Sequence, residues 1–223
     1  MILEKLTSQC IRAVSAGMAN AESRFERRAV EDLIAEETRF TYLEMYNGAK
    51  DLAGNKFLPQ EIILPVSLIF NKDIQDEEAD YIVFPLETGV VRLGEHANGL
   101  TYAGKGKTAK SFTQVKSWEH ASILYELGEI APGGAEHILV ESDRIVLFGN
   151  KQLKSLTVRA VWEDPRRLTS FDEYTDDWPI PGDLISRLIE KVSMRLMRMA
   201  AMQVPNQTND GNDTNPVVQT QIK

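Results

Sequence analysis

Three histidines, one cysteine and several crowded carboxylates are the residues with chemical potential in this chain. His96, His120 and His137 lie far apart, and no pair has the spacing of three or four that a helical metal site requires. Cys10 falls on an apolar helical stripe, where a thiol packs as a small hydrophobe rather than reacting. No Gly-x-Ser-x-Gly elbow presents a nucleophilic serine. Gly104-Lys105-Gly106-Lys107-Thr108 has the composition of a phosphate-binding loop, but both registers fail. Counting back from Gly106-Lys107-Thr108 puts Thr101 where a glycine must stand, and counting from Gly99 puts Gly106 where Ser or Thr must stand. A flexible basic loop is expected there. Asp73, Asp76, Glu77, Glu78 and Asp80 crowd one segment, and Asp172, Glu173, Asp176 and Asp177 another. Neither has the alternating acidic spacing with a distant Glu that holds calcium, so both read as solvated loops. The expectation is a non-enzyme with no catalytic residues, no metal site and no cofactor.

The rest of the composition agrees with a folded, non-membrane protein. The chain has 223 residues, 43% of them hydrophobic and 26% charged. Its apolar runs, such as Ile62–Val66 and Leu68–Phe70, are far below the ~20 residues of a spanning helix. A lone cysteine excludes an intramolecular disulfide framework. Met1-Ile2-Leu3-Glu4-Lys5 lacks the features of a secretory signal, so folding in a cytosol is expected. The net charge of −8 is concentrated in residues 58–177, while 1–57 carry −1 and 178–223 carry +1. Such an acidic middle is no platform for gripping nucleic acid.

The elements that would carry these residues fall into two classes. Leu3, Leu6, Cys10, Val14 and Met18, then Phe25, Leu33, Ile34, Phe40, Leu43 and Tyr46, recur at helical spacing over 3–47. Residues 17–23 are a bend in one helix or a break between two, with Asn20 or Ser23 as a cap. Asn47-Gly48 and Gly54-Asn55 are expected to end the region. From about 58 to 165 the period changes. Tyr81–Phe84 reads as a strand. Val90–Leu93 and Leu100–Ala103 read as a hairpin, as do His137–Glu141 and Arg144–Phe148 around Ser142-Asp143. Ser155–Trp162 alternates as a further strand, and Ser122–Leu127 suggests a short helix. Residues 163–180 read as a polar connector. A last helix starts at Pro181, with Leu184, Ile185, Leu188, Ile189, Val192, Leu196 and Met199 as its stripe.

The expected fold is therefore α+β: an N-terminal helical region (1–57), an antiparallel β-sandwich or small barrel (58–165), a connector and C-terminal helix (166–203) packed against the first helices, and an extended polar arm (204–223). The arm is rich in Asn, Gln, Thr and Asp and should be disordered in isolation. If ordered, it docks on another surface, with Val204, Val217, Val218 and Ile222 as its apolar anchors. Arg187, Arg195 and Arg198 of the last helix complete the expected subunit or partner interface.

Four segments and this tail carry a resemblance. They are Phe57–Pro65, Asp80–Leu86, Gly99–Gly104 and Pro179–Ile185, with Asn206–Asn215. Their order resembles the connector and ring proteins below the portal of short-tailed bacteriophages, most specifically the ring proteins of crAss-like phages. The resemblance implies a structural virion protein made in the host cytoplasm. It implies a roughly dodecameric ring in the portal-to-tail neck, with identical subunits and portal or neighbouring ring proteins as partners. Double-stranded DNA would pass through the lumen without sequence-specific binding, and no membrane would be involved. An acidic middle suits this, because every Lys or Arg on a phosphate would slow passage. The same features would suit a non-viral oligomeric adaptor without catalytic activity.

Overall fold

The computed structural model describes residues 1–15, 25–53, 58–70, 81–94, 97–106, 110–130 and 135–203. Its elements are α1 (Leu3–Ser15), α2 (Arg27–Ala53), β1 (Leu64–Ile69), β2 (Tyr81–Pro85), β3 (Arg92–Gly94), β4 (Ala97–Asn98), β5 (Leu100–Gly104), β6 (Thr113–Gln114), α3 (Trp118–Glu126), β7 (His137–Val140), β8 (Arg144–Phe148), β9 (Ser155–Ala160) and α4 (Ile185–Gln203). The class is α+β, with a long C-terminal helix. No described helix is long and apolar enough to cross a membrane.

The helices at the two ends of the chain meet. α1 buries Leu3, Leu6, Cys10 and Val14, α2 buries Val30, Leu33 and Ile34, and α4 buries Leu188, Val192 and Leu196, all in one core. The helical spacing had named most of these. Phe40 differs: it is 46% exposed, and Thr38, Thr41 and Tyr42 face inward instead. The two threonines tolerate this because each hydroxyl donates to the carbonyl four residues back, Thr38 to Ile34 and Thr41 to Glu37. Asn47-Gly48 does not stop α2, which continues to Ala53. A helical interior accepts one glycine at a cost of about 1 kcal/mol. Asn20, Ser23 and Gly54-Asn55 lie outside the described residues.

Two sheets form the middle. The first has the order β1-β9-β5, the second β2-β8-β7-β6, and β3 and β4 make a small third pair. Both larger sheets feed one core, with Val66 and Leu68 from β1, Phe84 from β2, Ile145 and Leu147 from β8, and Leu156 and Val158 from β9. β9 is buried at alternate positions, as its sequence indicated. The β7–β8 hairpin turns through Ser142-Asp143 as expected, with Val140 opposite Ile145. Its continuous apolar runs have a cause: α3 covers the second face, burying Leu139, Val146 and Phe148 against Ala121 and Ile130.

Two expectations are corrected. The sheets are not purely antiparallel, since β6 runs parallel to β7, with Thr113 opposite His137. Leu100–Ala103 does not pair with Val90–Leu93 as a hairpin. β5 pairs with β9 instead, and β3 takes β4 as its partner. Gly99 makes this possible. Its N–H donates to Val91 at 2.7 Å, its carbonyl accepts from Val161 at 2.9 Å, and a Cβ there would lie 2.8 Å from Val161 Cβ. Only a residue without a side chain permits that approach.

The connector is less polar in place than in sequence. Leu168, Trp178 and Ile180 are buried, so 163–180 straps the bundle to the sheets.

Candidate functional site

The residues whose types could do chemistry sit in structural settings. The Cys10 thiol is buried, and burial pushes its pKa up to about 12. His137 is buried, with Nδ1 donating to the Ala135 carbonyl at 3.0 Å. His120 Nδ1 accepts from the Lys116 backbone at 3.3 Å. His96 lies outside the described residues. The basic loop after β5 leads to β6 rather than to a helix. Its Lys105 pairs with Glu136, which Asn150 also contacts at 2.8 Å. Partial burial pushes Glu136 up, but Lys105 and Asn150 outweigh this and hold it below the usual carboxylate range. Asp172 and Asp176 bond to each other's segment, and Asp177 pairs with the Met1 amine at 2.6 Å. The 73–80 carboxylates lie outside the described residues. Among the described residues no group of His, Cys, Asp and Glu converges to hold a metal ion.

The described residues expected at a subunit or partner interface lie on α4. Its inner stripe of Leu188, Val192, Leu196 and Ala200 leaves the opposite face free. Along one flank its cations meet the acids of α2. Arg187 lies 3.1 Å and Lys191 2.7 Å from Glu44, while Arg195 reaches Glu36 at 3.1 Å and Glu37 at 2.7 Å. This ladder fixes α4 against α2 in one register. Hydrogen bonds to Glu37 and Glu36 strengthen the Arg195 charge and raise its pKa further. Arg187 and Arg195 are thus engaged within their own chain. Arg198 is exposed and has no ion-pair partner among the described residues. Val204, Val217, Val218 and Ile222 lie outside the described residues.

Sequence reasoning missed a second clamp. Arg166, in the connector, bonds Asp164 through Nε at 2.9 Å and through Nη2 at 2.8 Å, and reaches Asp32 of α2 at 2.8 Å. Its side chain is only 6% exposed. Burial pushes Asp164 up, but Arg166 overcomes it and holds the carboxyl below its usual range. The signal available in sequence was Asp164-Pro165-Arg166, a capped turn with a cation next to the cap. The pairing with Asp32, 134 positions away, had no signal.

It also missed α3 as a surface. Ser117 caps α3 by accepting from the His120 N–H. Trp118 stacks edge-on against Tyr81 and Phe148, with ring centroids 5.2 and 5.5 Å away. Ile123 and Leu127, one turn apart, are 53% and 67% exposed.

No curated protein matches this chain. The model of the family described as phage tail ring protein 2 matches residues 126–215. That stretch contains the β7–β8 hairpin, β9, the strap and all of α4. From the end of α3 onwards, this chain is therefore similar to the tail ring proteins of crAss-like phages.

Proposed function

We propose that this chain is a structural subunit of a roughly dodecameric ring in the portal-to-tail neck of a bacteriophage, with a lumen through which double-stranded DNA passes. The match of residues 126–215 to a phage tail ring family carries this reading. The subunit divides into a helical region (1–57), a β region (58–165), a strap with the last helix (166–203) and an arm (204–223). The arm engages a neighbouring subunit or the adjacent ring through Val204, Val217, Val218 and Ile222. Arg187, Arg195 and Arg198 lie at that contact, with Arg198 the freest to reach a partner. The net charge of −8 favours DNA passage over retention. Synthesis takes place in the host cytoplasm, and portal or neighbouring ring proteins are the partners.

Mass spectrometry and cryo-electron microscopy of purified particles test the reading. A ring of this chain between capsid and tail is expected. A persistently monomeric protein absent from particles would refute it and favour a cellular adaptor.

A further inference from the structure

Among the described residues, two exposed helical faces are left without partners, and their chemistry is complementary. The first is the outer face of α3, where Ile123 and Leu127 stand among the exposed acids Glu119, Glu126 and Glu129. Large aliphatic side chains one turn apart on a nine-residue helix form a patch rather than scattered exposure. The second is the outer face of α4, where Met194 is 44% exposed. Arg187, two turns before it and paired with Glu44 of α2, and Arg198, one turn after it, share that face, with Glu190 at its edge. Methionine adapts its shape to a partner, and Arg198, with no ion-pair partner among the described residues, supplies a cation opposite in sign to the acids of α3.

We infer that the outer face of α3 receives the outer face of α4 from a second copy of this chain. Ile123 and Leu127 pack on Met194, and Arg198 meets the acidic rim of α3. This rests on the ring reading and specifies its contact. Because the two faces are different surfaces, the contact is head-to-tail, the type that closes into rings. It leaves the α2–α4 ladder within each subunit intact, so the ring forms without breaking the fold.

The test uses full-length Ile123→Glu and Met194→Glu chains. Each residue is exposed, so circular dichroism should match the parent. Assembly is read by native mass spectrometry and by incorporation of tagged chains into particles. Each variant alone should lose at least tenfold in assembly. An equimolar mixture should give a dimer and nothing larger, because it holds one intact pairing of faces. If both variants assemble and incorporate like the parent, this contact is wrong and the ring reading stands. If the parent neither assembles nor enters particles, the ring reading fails and this contact falls with it.

Discussion

Thr38 and Trp178, 140 positions apart, are joined by a buried hydrogen bond in which the indole N–H donates to Thr38 Oγ1 at 2.9 Å. Beside it, the Tyr42 hydroxyl donates to the Pro179 carbonyl, and the Trp178 N–H donates to the Met1 carbonyl at 3.0 Å. The strap is therefore held by the helices it crosses. Trp178→Phe should keep the packing and lose one hydrogen bond, costing about 1 kcal/mol, whereas Trp178→Ala should cost about 3–5 kcal/mol. Urea unfolding of both variants separates the two contributions.

Leu188 has no exposed surface and lies in the core shared by α1, α2 and α4. Leu188→Asp forces an unpaired carboxylate into that core. A loss of roughly 3–5 kcal/mol is expected in chemical denaturation. An unchanged melting temperature would mean that α4 does not close the bundle.

The Asp164–Arg166–Asp32 clamp should leave a mark on acid stability. The Asp164 pKa is lower in the folded chain than its ordinary value, so its contribution is complete above the unfolded value, near 4. It is lost as pH falls through the lower, folded value. Asp164→Asn should flatten stability against pH below about 4 and lower stability at neutral pH. Arg166→Met leaves Asp164 with only the exposed Arg167, 3.7 Å away, and should cost about 3 kcal/mol near pH 7. Melting curves from neutral to strongly acidic pH check both.

Removing residues 204–223 should leave melting behaviour and circular dichroism unchanged, because the bundle core closes with Leu188, Val192, Leu196 and Ala200. The same truncation should prevent incorporation into particles. A truncated chain that cannot fold would place the arm in its own subunit's core.

Elements with a strong apolar pattern were legible in sequence: α1, β9 and the β7–β8 hairpin lie where their patterns put them, and α4 begins at Ile185, one turn after the expected start at Pro181. Pairing over long range was not. β5 chose β9 because Gly99 allows a backbone approach that no local pattern encodes. The strap read as polar because Trp178 and Ile180 are isolated among acids, and isolated apolar residues show no period. At the candidate assembly surface, Arg187 and Arg195 were legible as a basic helix face. Their partners Glu44, Glu36 and Glu37 lie on another element, which only the fold brings near.

The Cys10 carbonyl accepts from the Ser193 hydroxyl at 3.4 Å, a contact that spans 183 positions of sequence. During synthesis α1 leaves the ribosome long before α4, its main partner. The sheets, whose strands are complete by residue 160, have a head start while Leu3, Leu6, Cys10 and Val14 have only α2 to cover them. The loop that must close to cover them spans most of the chain, which slows that step relative to local pairing. An apolar helix held open on each nascent subunit is a route to premature association. The bundle is thus a late step of folding, since α1 keeps part of its apolar stripe open until α4 has been made.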